Sequence, residues 1–454
     1  MSSLAFAHVR PRFALPCLLA VAASAIDAQA QTLYKKPLIA FSVSGTDHTS
    51  FGGPVTVSFQ SEHLDEGNGW TNNAYIAPAS GLYYFHLSGV RDSLYNGGTW
   101  DDAFLNLTIG GSVVGRAWAG QFDSLDAAKR MTGAYSVARY VQKGEVVTVT
   151  ATSDGNPIRH FAKYELSGIY LGPITAFSAS GVDHTSIGNA DQLTFQGAHC
   201  NLGACWKANQ FFQPPRQGIY FFSGQFVRDS ATLGGTSDDV MMDLLVGTNG
   251  VGRAWAGEAN SQDAAKRMTG AFSFATHLPA NGTVTANSSS DGGFARHLAA
   301  FELTGFKVLP AGPLTGAALA FSASGSNHIS SGSPIQMVYQ TEHVDTHNAW
   351  DGSTFTAPVQ GCYYFELAFV RDSSGSSGTG DDVYVNLDIG GTTQGYGWAG
   401  EALTSDGVQR MTGAYSTARF LTQGQTVTTR AGSDGNVLRH VAEFHLTGFL
   451  LGVK

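Results

Sequence analysis

Gly81-Leu-Tyr-Tyr-Phe-His-Leu-Ser88, Gly218-Ile-Tyr-Phe-Phe-Ser-Gly-Gln225 and Gly361-Cys-Tyr-Tyr-Phe-Glu-Leu-Ala368 are one segment written three times. Its periodicity decides the fold class. Tyr83, Phe85 and Leu87 alternate with Tyr84, His86 and Ser88, and Tyr363, Phe365 and Leu367 alternate with Tyr364, Glu366 and Ala368. A period of two puts the first set on the buried face of a strand, whereas a helix would repeat its apolar residues three and four apart. A following strand behaves alike: Val383, Val385, Leu387 and Ile389 face one way and Tyr384, Asn386 and Asp388 the other, before a Gly390-Gly391 turn. No unit carries an amphipathic helix; the stretch 122–129 suits at most one helical turn. Short alternating strands with Gly-rich turns predict an all-β sandwich or jelly roll.

Working outward, the whole chain repeats in threes. Phe41-Ser-Val-Ser-Gly-Thr-Asp-His48 returns as Phe177-Ser-Ala-Ser-Gly-Val-Asp-His184 and Phe321-Ser-Ala-Ser-Gly-Ser-Asn-His328. Trp70, Trp206 and Trp350 keep the same spacing, as do His63, His199 and His343, and Arg-Met-Thr-Gly-Ala recurs at Arg130, Arg267 and Arg410. The expected units are 38–172, 174–308 and 320–452. A very short joint, Gly172-Pro173-Ile174-Thr175, separates the first two, and a Pro/Gly/Ala linker over 309–319 the last two.

The 454 residues carry a net charge of -9, which argues against nucleic acid or an anionic membrane as partner. With 11% aromatic and 13% charged residues the chain is neither disordered nor a coiled coil. Arg10 and Arg12 precede an apolar stretch from Phe13 to Ala23, and Ala28-Gln-Ala30 supplies small residues, so 1–30 is read as a signal peptide cleaved near Ala30. That reading makes the mature chain secreted or periplasmic, without membrane insertion.

Phe212-x5-Gly218-x-Tyr220-x-Phe222 and Phe355-x5-Gly361-x-Tyr363-x-Phe365 resemble the core signature of C1q domains, with Tyr75 in place of the leading Phe in the first unit. Ser167-Gly-Ile-Tyr-Leu171 and Thr447-Gly-Phe-Leu-Leu451 resemble the family's closing strand, and Gln142-Lys-Gly-Glu-Val146 its Gly-acid-Val turn. The resemblance covers all three units and implies three tandem ten-strand jelly rolls of the C1q/TNF class. Two features depart from it: the family's upstream Phe and Asn/Asp do not align before the three tryptophans, and no Gly-X-Y stalk is present. Since C1q-like domains work as trimers, three units on one chain are expected to pack as an intramolecular pseudo-trimer in a monomeric chain. Leu82 and Tyr84, Ile219 and Phe221, and Cys362 and Tyr364 would then be covered rather than wet.

Recurrent polar residues mark candidate sites. Asp101-Asp102, Asp238-Asp239 and Asp381-Asp382 each open a strand after a Gly-rich loop, where two carboxylates suit either Ca²⁺ or an ion pair with Arg91, Arg228 and Arg371. The resemblance adds weight to calcium, because several C1q-like trimers bind it near their axis. Trp118, Trp255 and Trp398 suit either sugar-stacking platforms or core positions, and Arg130, Arg267 and Arg410 either ligand contacts or pairing to a local acid. His48, His63 and His160 with their counterparts His184, His199, His297, His328, His343 and His440 suit turn capping or a Zn²⁺ ring. Cys200 and Cys205 enclose a tight loop expected to close as a disulfide, while Cys362 is expected to be buried and unpaired.

No nucleophile elbow, zinc-protease motif or phosphate loop occurs, and every candidate residue comes in triplicate, which suits multivalency better than catalysis. The sequence is therefore read as that of an exported, non-catalytic recognition protein with no required cofactor. It would present three lobes to a glycan or protein ligand with possible calcium assistance. The alternative is a structural or adhesive surface component binding envelope proteins.

Overall fold

The computed structural model describes residues 37–50, 53–92, 102–120, 130–153, 159–186, 189–229, 239–257, 267–291, 296–310, 318–330, 333–372, 382–400, 410–433 and 439–453. The expected signal peptide, the suggested helical turn at 122–129, most of the 309–319 linker, and Asp101, Asp238 and Asp381 lie outside them. Ile39–Lys454 is one compact unit.

The first lobe is made of β1 (Ala40–Ser50), β2 (Val55–Thr56), β3 (Ser61–Glu66), β4 (Trp70–Thr71), β5 (Ala74–Ile76), β6 (Gly81–Asp92), β7 (Ala103–Ile109), β8 (Ser112–Ala119), β9 (Arg130–Val141), β10 (Val146–Ser153) and β11 (Arg159–Tyr170). One sheet has the order β3-β1-β11-β6-β9 and the other β4-β5-β10-β7-β8, with β2 also on β10. First and last strands are thus neighbours, Phe41 standing opposite Gly168. The chain enters and leaves the lobe at one end, as a four-residue joint requires. The second lobe repeats the first sheet in the order Gly197–Leu202, Ala176–Ser186, Arg296–Lys307, Gly218–Asp229, Arg267–Leu278. In the third the order is Thr341–Asp345, Ala320–Ser330, Arg439–Gly452, Gly361–Asp372, Arg410–Leu421. The chain is all-β and jelly-roll-like.

The alternation read from the sequence sets the core. Tyr83, Phe85 and Leu87 are fully buried between the two sheets of the lobe. Phe41 stacks on Tyr75 at 4.1 Å and on Trp70 at 5.7 Å, so the tyrosine occupies the place that Phe212 and Phe355 fill beside Phe177 and Phe321. The opposite faces of β6 and its counterparts are buried too. Tyr84, Phe221 and Tyr364, one from each lobe, meet with ring centroids 5.7 to 6.2 Å apart, roofed by Phe306 and Phe449. Ala134, Ala271 and Ala414 form a second three-lobe contact on β9 and its counterparts, where side chains this small let the strands approach closely.

Candidate functional site

The repeated Arg-Met-Thr-Gly and Trp-Ala-Gly motifs come together where one lobe meets the next. The backbone N–H of Arg130 donates to Asp382 Oδ2 at 2.8 Å, that of Arg267 to Asp102 Oδ2 at 3.1 Å, and that of Arg410 to Asp239 Oδ2 at 2.9 Å. Lobe 1 is thus held to lobe 3, lobe 3 to lobe 2 and lobe 2 to lobe 1, a head-to-tail ring that closes. Thr132 Oγ1 donates to the Trp398 carbonyl at 2.8 Å, Thr269 Oγ1 to that of Trp118 at 2.7 Å, and Thr412 Oγ1 to that of Trp255 at 2.6 Å. Glycine is required in this clasp: a Cβ on Gly120 would overlap the Arg267 carbonyl of the neighbouring lobe, and one on Gly133 the Trp118 carbonyl of its own.

This geometry corrects two expectations. Trp118, Trp255 and Trp398 are not platforms for sugars: they are 9%, 4% and 8% exposed, and each indole is covered by an arginine of the next lobe. The guanidinium carbons of Arg267, Arg410 and Arg130 stand 4.8, 4.3 and 4.7 Å from the three rings. The same arginines are ion-paired within their own lobes, to Asp229, Asp372 and Asp92 at 3.1 to 3.2 Å. With the ring below and a carboxylate beside it, each guanidinium serves the seam rather than a ligand.

Asp102, Asp239 and Asp382 are essentially inaccessible, and each has committed one oxygen to the clasp. The other member of each acidic pair lies outside the described residues. Among the described residues, no group of three His, Cys, Asp or Glu stands together to hold a metal ion. The repeated histidines go to separate places: His63 and His343 contact Ser44 and Ser324 hydroxyls at 2.7 Å, while His199 Nε2 is 3.3 Å from Glu302. Burial, then the nearby Arg419 charge, pulls the His63 pKa down to about 4.

The disulfide expectation is also corrected, since Cys200 and Cys205 are free thiols. Cys200 sits in a strand opposite Ser178, whereas the Gly203-Ala204 turn, with φ of +84° and +48°, carries Cys205 into the core. There its Sγ lies 3.4 Å from the Leu202 carbonyl and 3.5 Å from that of Ala176. Burial pushes the two thiols up to about 12 and about 11, so both are protonated and unreactive at neutral pH. Cys362 is buried, as its position implied.

A buried carboxylate that the repeats did not single out sits among the lobes. At equivalent positions the three lobes carry His86, Ser223 and Glu366. Glu366 Oε1 accepts from Ser223 Oγ at 2.8 Å, and Oε2 accepts from Tyr84 and Tyr364 hydroxyls at 2.9 and 2.7 Å. His86 contacts Ser416 through Nδ1 at 2.8 Å and approaches Glu366 to 3.9 Å. Burial lowers the His86 pKa, with the Glu366 charge opposing. The departure from threefold identity is the signal that could have found this group.

No family model matches the chain, and no curated protein does. Among solved structures it is similar to the globular domain of zebrafish complement 1qA protein, at 17% identity over 29% of this chain and 96% of that one, with a TM-score of 0.23. It is also similar to the Eiger TNF of S. frugiperda, at 12% identity over 30% of this chain and 94% of that one, with a TM-score of 0.23.

Proposed function

We propose that this chain is an exported, non-catalytic recognition protein that presents three similar lobe ends to a repeating ligand. The observation carrying the reading is where the clasp sits. In each lobe the connections from β6 to β7, from β8 to β9 and from β10 to β11, or their counterparts, begin and end at one end of the sandwich. That end is fixed by the pairing of Asp92 with Arg130 and of Ala103 with both Ala119 and Ser153. The clasps from Asp382, Asp102 and Asp239 join the three lobes at the same end. Three such ends held in one ring turn weak single contacts into useful avidity. Because the repeated tryptophans and arginines are spent on the seams, recognition falls to the segments beyond the strand ends.

The test is binding of the chain from Gln31 onward to a glycan and polysaccharide array, run with Ca²⁺ and with chelator. Binding in either condition supports the reading. Loss on chelation would make the recognition calcium-dependent, and Asp101, Asp238 and Asp381 would be the carboxylates to substitute next. No glycan bound in either condition, with stable co-purification of envelope proteins, would replace it by the structural or adhesive role.

A further inference from the structure

The three seams are built alike but are not filled alike. At one pair of facing positions, lobe 3 places Tyr396 and lobe 1 places Lys163, whose Nζ lies 3.5 Å from the ring centroid. In the next seam the same positions hold Arg253 of lobe 2 and Glu443 of lobe 3, with Nη1 and Oε1 3.8 Å apart. Register fixes the equivalence: Lys163, Ala300 and Glu443 stand opposite Val90, Val227 and Val370, while Arg116, Arg253 and Tyr396 stand opposite Asn106, Asp243 and Asn386. In the seam between lobes 1 and 2 the facing pair is therefore Arg116 and Ala300. A methyl group cannot reach a guanidinium as a lysine or glutamate side chain reaches its partner.

A cleft of 660 Å³ opens there, larger than the one of 430 Å³ that remains beside the paired Arg253 and Glu443 in the next seam. Its walls are mostly apolar, with Phe104, Trp118 and Val227 in contact at the base and Ala300 packed on them. Arg116 lies on the wall with its guanidinium carbon 4.9 Å from the Phe104 ring, and Nε donates to Asn106 Oδ1 at 3.1 Å. Among the described residues no carboxylate pairs with it, in contrast to Arg253, which has both Asp243 and Glu443. The acid in the cleft, Glu302, is occupied by Ser178 at 2.9 Å, Tyr135 at 3.2 Å and His199 at 3.3 Å. A volume suited to a small organic molecule, mostly apolar walls and, among the described residues, a cation without a carboxylate partner define the occupant by complementarity.

We propose that this cleft, and neither of the other two seams, binds a small molecule with an apolar body and one anionic group that Arg116 receives. The inference stands apart from recognition by the lobe ends. The fluorescent probe 8-anilinonaphthalene-1-sulfonate carries both features, and N-phenyl-1-naphthylamine is its neutral counterpart. The full chain from Gln31 is expected to bind one sulfonate probe, with the neutral one held about tenfold more weakly, the factor that one charge-assisted contact supplies. Ala300→Glu rebuilds the ion pair seen at Glu443, placing a carboxylate in the cleft and neutralising Arg116, and is expected to abolish sulfonate binding while leaving the melting temperature unchanged. Arg116→Met, at an exposed position, is expected to erase the preference for the sulfonate and keep the neutral probe. Sulfonate binding that survives Ala300→Glu, or a preference that survives Arg116→Met, would overturn the proposal. Should Ala300→Glu fail to fold, the Arg116→Met ratio decides alone.

Discussion

Glu366→Gln removes one charge from the meeting point of the lobes without changing its shape. Three hydroxyl donors end on this carboxylate, from Ser223, Tyr84 and Tyr364, all within 2.9 Å, and the group is 3% exposed. A hydrogen bond to a buried charged acceptor stabilises by about 1.5–3 kcal/mol and a neutral one by about 0.5–1.5, so each bond weakens by about 1 kcal/mol. Gln also turns an NH₂ toward hydroxyls that now point at the carboxylate, forcing at least one to reorient. The expected loss is about 3 kcal/mol. With an unfolding entropy of about 2.1 cal/mol/K per residue over about 400 residues, that lowers the melting temperature by about 3–4 °C when the unit unfolds cooperatively. Scanning calorimetry of the wild type, Glu366→Gln and the exposed control Glu62→Gln reads this directly. A Glu366→Gln melting temperature within 1 °C of the control would mean that the carboxylate is not organising the contact, and the reasoning would fail.

Three further outcomes follow from the seams. Asp382→Ala leaves the Arg130 N–H without its acceptor and is expected to cost about 1.5–3 kcal/mol in urea unfolding, with the β-sheet circular dichroism intact; unchanged unfolding would remove the clasp's energetic role. His445 is 8% exposed, and burial, then the His343 charge, pulls its pKa down to about 4, so the folded state binds fewer protons than the unfolded one below pH 6.5. Stability from this group is complete above pH 6.5 and lost on acidification, by about 2 kcal/mol between pH 7.5 and 5, with Glu443, raised by burial, acting in the opposite sense. A pH slope that His445→Gln does not flatten would contradict the assignment. Thiol titration of the denatured chain from Gln31, without reductant, is expected to count Cys200, Cys205 and Cys362 all free; a count of one would restore the disulfide.

The alternation of Tyr83, Phe85 and Leu87 and the threefold repeat were enough to establish an all-β chain with a repeated aromatic core. Strand periodicity is local and survives in one dimension. The aromatic residues on the other parity, Tyr84, Phe221 and Tyr364, likewise announced a covered face. The role of the repeated Trp, Arg and Asp was not legible, because a residue three times repeated looks the same whether it meets a ligand or the next lobe. That Arg130 lies on Trp398 and holds Asp382 depends on residues more than two hundred positions away in sequence. The open cleft was hidden for a related reason. Ala300 is unremarkable by itself and acquires meaning only when register aligns it with Lys163 and Glu443 and the ring brings Arg116 opposite it. The sequence by itself determined which face of each strand lines its own lobe's core, since that follows from the spacing of residues along the strand. Only the tertiary structure decided what lies against the opposite faces and the repeated Trp, Arg and Asp, since contacts across a seam are set by how the three lobes dock.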